Sequence, residues 1–140
     1  MQNAVYKLIR KHKTTCPFKI AKALGIKVVF KDLGDSTRGI FYTKSRQRYI
    51  VINSRLDPIW QRLICAHELG HSVLHAGMNR FFIDDYTFLI SGKYERQANV
   101  FAVVLLTSND PIDPGESIST YFRRVEIPEE MIVYYKGVLN

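Results

Sequence analysis

The segment from Asp57 to Gly77 constrains this chain more than any other. Asp57 is an N-cap residue type, Pro58 suits the first helical position, and Ile59–His75 carries a helical pattern onward to Gly77. Leu63, Ile64, Leu69, Val73 and Leu74 make that helix apolar enough for a core. Its middle nevertheless reads Cys65-Ala66-His67-Glu68-Leu69-Gly70-His71, which contains H-E-x-x-H. A single histidine in an apolar helix is ordinarily a core residue bonded to a neighbour. Two histidines with a glutamate between them would instead bury a charge without obvious compensation. Residues four apart share one helix face, so the imidazoles of His67 and His71 can converge on one ion, with Glu68 offset toward the open side. Zinc accepts two imidazoles and a carboxylate and leaves its fourth position to water.

The carboxylate must come from outside this helix, and the acidic candidates soon downstream are Asp84, Asp85 and Glu95. Glu95 is the best physical choice. It opens the stripe Glu95, Ala98, Asn99, Ala102, Leu106 on the next expected helix, about Lys93–Leu106, and so points along the face that packs inward. A cation offsets the desolvation of such a carboxylate, and Ala98 and Ala102 let the helix approach closely. Asn99 is a candidate acceptor for the outward ring nitrogen of a ligand histidine. His75 extends the His67–His71 face; a non-ligand place is expected for it, because a fourth protein ligand would close the position that catalysis needs.

In such a site Glu68 is the expected general base, taking a proton as water attacks a peptide carbonyl and returning it to the departing amine. Tyr86, Tyr94 and His75 are candidates for the further donor that stabilises the tetrahedral oxyanion. Zinc is the expected cofactor from the ligand types, with manganese another divalent ion that they accept.

The rest of the chain reads as one domain of 140 residues, 46% hydrophobic and 24% charged, a composition that excludes a disordered class. Residues 3–13 read as an amphipathic helix. A shorter helix begins at Thr15 or Cys16 before Pro17, shows Phe18, Ala21 and Leu24 on its apolar face, and ends at Gly25. Ile26–Lys31 alternates like a strand, and Arg38–Thr43 and Arg48–Asn53 form a hairpin across the polar linker Lys44–Gln47. Residues 78–92 read as an irregular connection. A loop over Thr107–Glu116 precedes a final helical segment or pair over roughly Ile118–Val138.

No segment is expected to act as a signal peptide or to span a membrane. With Cys16 and Cys65 as the two cysteines, a disulfide framework is not expected, and the cytoplasm is the expected compartment. Residues 1–62 hold 14 Lys/Arg against 3 Asp/Glu, and residues 63–140 hold 6 against 10. The basic charges alternate with apolar residues, as on a solvated face, so direct nucleic-acid binding is disfavoured. The stretch Ile20–Ile26 has the look of half a helix-turn-helix, but the following KVVFKD alternates like a strand where a recognition helix would have to stand.

The blocks CAHELGHSVLH and YERQANVFAVVLL resemble the ImmA/IrrE family of bacterial and phage metallopeptidases. The second block fits the pattern E-x-x-A-N-x-F-A through Glu95, Ala98, Asn99, Phe101 and Ala102. Weaker similarity runs through PFKIAKALGI and ISTYFRRVEIPEEM, and Thr107-Ser108 replaces the methionine-proline often found after the paired leucines. The resemblance implies Glu95 as third ligand and a protein substrate, a helix-turn-helix repressor of a phage or mobile element that is cleaved or inactivated. A regulator that sequesters the repressor without cutting it, using the same metal site, is the alternative. The expected fold class is α+β and zincin-like: mainly helical, with a small three-stranded sheet packed beside the H-E-x-x-H helix. The expected core covers about residues 1–107 and the C-terminal helical segment about 116–140.

Overall fold

The computed structural model describes residues 2–75, 82–85 and 92–137, with backbone alone for 82–85. The chain is α+β. Helices α1 (Gln2–His12) and α2 (Pro17–Ala23) lead into strands β1 (Lys27–Lys31), β2 (Thr37–Lys44) and β3 (Gln47–Asn53). Then come α3 (Pro58–Leu74), the short β4 (Phe82–Asp85), α4 (Lys93–Thr107), α5 (Ile118–Arg124) and a 3-10 helix, Glu129–Tyr134.

Local chemistry accounts for most of these boundaries. Pro17 opens α2, and Gly25 closes it at φ +77°, with Gly25 N donating to Lys22 O at 3.0 Å and Ile26 N to Ala21 O at 2.9 Å. These two bonds satisfy carbonyls that the helix end would otherwise leave bare. The β2–β3 turn is tighter than the sequence suggested. Only Ser45 and Arg46 lie between the strands, both at positive φ (50° and 66°), as a two-residue hairpin turn that follows the strand twist requires.

The sheet order is β1-β3-β2-β4, with β1 parallel to β3 and the other pairs antiparallel. All three expected strands are present. The fourth corrects the reading of residues 78–92 as irregular: Phe82–Asp85 pairs with β2, setting Ile83 opposite Ile40 and Asp84 opposite Gly39. Four residues without alternation give no strand signal of their own; the free edge of β2 makes β4 a strand. Tyr86 and the expected helix stop at Gly77 lie outside the described residues.

Helix α3 runs through the middle of the molecule and is buried on all sides from Leu63 to Ser72. It packs against α4 on one side and against β2, β3 and α2 on others. Gly70 is what permits α4 so close: a Cβ there would stand 3.0 Å from the Phe101 ring. Buried Ala98 and Ala102 answer it from α4. The expected C-terminal segment is a pair, α5 followed by the 3-10 helix, and it closes the core with Tyr121, Phe122, Met131 and Tyr134.

Candidate metal centre

Asp57 caps α3, its carboxylate accepting from Trp60 N at 3.0 Å, so the helix starts where the sequence places it and its face is set. Three turns on, His67, Glu68 and His71 have no exposed surface. Glu95, in the first turn of α4, turns its carboxylate to both histidines. Its Oε2 lies 2.8 Å from His67 Nε2, and its Oε1 lies 2.9 Å from His71 Nε2. The imidazoles meet edge to face, with centroids 4.9 Å apart and planes at 89°.

Ligand atoms of His67, His71 and Glu95 all lie within 4.8 Å of one another. Donors of a tetrahedral zinc, each about 2.0–2.2 Å from the ion, stand roughly 3.5 Å apart. Two buried histidines and a partly buried glutamate therefore suit a divalent cation in donor chemistry, and their spacing brackets the separation it needs. Among the described residues no other group of three or more His, Cys, Asp or Glu meets that test. Cys65, on the same helix, is no competitor as a thiolate, because burial pushes its thiol pKa up. Asp84 and Asp85 lie on β4 as backbone only, and their side chains are outside the description.

Glu68 faces the sheet. A Cβ on Gly39 of β2 would stand 3.1 Å from Glu68 Oε2 and 2.5 Å from Ile64 Cγ2, so only glycine lets this strand lie against the carboxylate. Sequence reasoning passed over Gly39. The signal was available, since glycine inside a strand pattern often marks a close backbone approach.

His75 ends α3 as its C-cap residue and is 5% exposed. It sits behind His71, on the Nδ1 side, with the two Nδ1 atoms 3.0 Å apart, while His71 Nε2 faces Glu95. The other nitrogen of His75, Nε2, is 2.9 Å from Gln97 Oε1, and the Tyr94 ring packs against it edge to face at 4.9 Å. Gln97 is a second residue that the sequence reading missed. Asn99 is fully buried one turn beyond Glu95, and its amide has no hydrogen-bond partner among the described residues.

The chain is similar to known proteins. The family model of the IrrE N-terminal-like domain, Peptidase_M78, matches residues 21–134. Uncharacterized immunity region protein 2 of Bacillus phage phi105 is 41% identical over 103 residues, which cover 74% of this chain and 65% of that protein, just under two thirds of its length. Metallopeptidase ImmA of Bacillus subtilis (strain 168) is 27% identical over 132 residues, covering 87% of this chain and 77% of that protein.

Proposed function

Because this chain belongs to the IrrE N-terminal-like domain family, Peptidase_M78, we propose that it is a metal-dependent endopeptidase of the phage immunity-region type. The single observation that carries the reading is the convergence of His67, His71 and Glu95 from two packed helices, with Glu68 buried beside them. His67, His71 and Glu95 hold the ion in this proposal, and two histidines with a glutamate from a second helix make the site gluzincin-like within a zincin-like domain. Zinc is the proposed metal, since two imidazoles and a carboxylate are donors that suit it; manganese is the alternative to test.

A divalent cation supplies Lewis acidity, polarising the peptide carbonyl and making water a better acid. The protein's own groups do the rest. Glu68 accepts the proton of the attacking water and passes it to the departing amine, a transfer worth typically about 10²–10⁴-fold in rate. The apolar walls of α3 keep its carboxylate out of bulk water, and Gly39 keeps the sheet from displacing it. Tyr94 is proposed near the scissile bond as an oxyanion donor, with Tyr86 a further candidate. His75, a candidate for the same place by sequence, lies behind His71 with both ring nitrogens engaged and is proposed as a positioning group instead. Asn99, fully buried in the same helix pair, is proposed to steady a ligand histidine by packing, since its amide makes no hydrogen bond to His67 or His71.

The proposed substrate is a helix-turn-helix repressor, supported by the immunity-region and ImmA names of the relatives. The proposed compartment is the cytoplasm, where such a repressor acts. Among the described residues no helix is long and apolar enough to cross a membrane. Direct DNA binding is disfavoured by β1, a strand where a recognition helix would follow α2.

The test is incubation of the purified chain with the repressor encoded beside it, with Glu68→Gln as control. A defined fragment that appears with the unmutated chain alone supports peptidase action. Tight binding with no fragment from either form overturns it in favour of sequestration.

A further inference from the structure

Behind the metal centre runs a line of three polar contacts whose polarity is set at its far end. Glu95 Oε1 is 2.9 Å from His71 Nε2. His71 Nδ1 is 3.0 Å from His75 Nδ1, and His75 Nε2 is 2.9 Å from Gln97 Oε1. A neutral imidazole carries one N–H and one bare nitrogen, whereas an amide oxygen can only accept. Facing that oxygen, His75 must hold its proton on Nε2, which leaves its Nδ1 bare. A bare Nδ1 on His75 accepts the N–H of His71 Nδ1. His71 Nε2 is then left with its lone pair, which a cation shared with Glu95 and His67 would need. Without a cation the Glu95 carboxylate, itself an acceptor 2.9 Å away, would call for a proton there, so this tautomer is that of the loaded site.

The opposite arrangement fails. With the amide NH₂ of Gln97 toward His75, every proton shifts by one place: His75 holds its proton on Nδ1, donates to His71 Nδ1, and leaves His71 Nε2 protonated. Such a nitrogen cannot ligate a cation. We infer that Gln97 is a positioning residue for the metal centre, fixing through His75 the tautomer in which His71 Nε2 is a ligand; the inference rests on reading His67, His71 and Glu95 as the metal site. Helix α4 thus contributes twice to the same histidine. Glu95 meets its front, and Gln97, two residues on, sets its back. Tyr94, one residue before Glu95, packs its ring edge to face with the His75 ring and helps hold it in line. His75 gains a definite role in this scheme, that of a relay behind the ligand and not a fourth ligand.

The experiment uses the full chain loaded with zinc. Long-range ¹H–¹⁵N spectra of the histidines are expected to show His75 protonated on Nε2 and His71 on Nδ1; a proton on Nδ1 of His75 would overturn the inference. Gln97→Met removes the acceptor at nearly constant size, and its zinc affinity, read by competition with a chromogenic chelator, is expected to fall about 10–100-fold. Gln97→Lys, which can only donate, is expected to fall further, a difference that a merely structural side chain would not produce. Circular dichroism confirms that both variants keep their helices. Wild-type affinity in both variants sinks the relay alone, with the metal site intact. No zinc uptake by the unmutated chain sinks the metal reading itself, and the relay with it.

Discussion

Two asparagines, Asn53 at the end of β3 and Asn99 in α4, are both fully buried and bonded in opposite ways. Asn53 Nδ2 donates to Gly34 O at 2.9 Å and Thr37 O at 2.7 Å, and its Oδ1 accepts from Leu33 N at 3.2 Å and Arg55 N at 3.0 Å. That uses the full capacity of an amide and ties the loop before β2 to the end of β3. Asn99 has no such bond among the described residues, and it lies in the helix pair that also holds His67, Glu68, His71, Ser72 and His75. Apart from Asn53, every buried polar side chain described belongs to that pair or its edge. A polar group saturated by backbone is part of the scaffold. Polar groups gathered in an apolar interface at a cost in desolvation mark where the scaffold is put to use.

The contrast can be broken at several points, beginning with the strongest. Glu95→Ala is expected to abolish zinc uptake measured by atomic absorption while helical circular dichroism is kept; unchanged stoichiometry would move the third ligand to Asp84 or Asp85. Asn53→Ala should cost about 3 kcal/mol in urea unfolding, because four backbone groups, three of them on half-buried residues, lose their partner. A loss below about 1 kcal/mol would remove the scaffold role assigned to it. Gly70→Ala tests the helix interface: its methyl meets the Phe101 ring at 3.0 Å, so a destabilisation of about 1–3 kcal/mol is expected. Asn99→Leu should change stability by no more than about 1 kcal/mol, since it forfeits no bond to a described residue. If it costs as much as Asn53→Ala, the two asparagines are not different in kind.

The smallest effect belongs to a third polar region, in solvent. Arg124 lies 2.6 Å from Asp110 and 2.8 Å from Glu116, pinning the loop between α4 and α5. The Arg124 hydrogen bonds, followed by the backbone N–H of Asp113, hold the Glu116 carboxyl down at about 2, against an ordinary 4.5. A carboxyl with a lowered folded pKa stabilises fully above its unfolded value and loses that contribution as pH falls through the folded one. The contribution should thus be present above about 4.5 and fade toward about 2, and Glu116→Gln should flatten that part of an acid-unfolding curve. An identical acid limb in the variant would dismiss the ion pair as an anchor.

Much of this was legible beforehand because helix signals are local. Asp57, Pro58 and the spacing of His67 and His71 lie within one element, and a helix converts spacing into direction without help from the rest of the chain. The stripe beginning at Glu95 was legible for the same reason. Strand β4 was not, because its four residues owe their conformation to the edge of β2. Gln97 was not either: nothing in its neighbourhood in sequence says that His75, 22 residues earlier, stands opposite it.

By itself, then, the sequence determined which donors exist and which face of α3 presents two of them, since periodicity is a property of the chain alone. Only the tertiary structure decided that Glu95 comes within 2.8 Å of His67, that Gly39 lets the sheet lie against Glu68, and that an amide oxygen backs His75. Those distances depend on how closely α4 and β2 approach α3. Steric contacts between residues far apart in the chain, such as Gly70 with Phe101 and Gly39 with Ile64, set that approach.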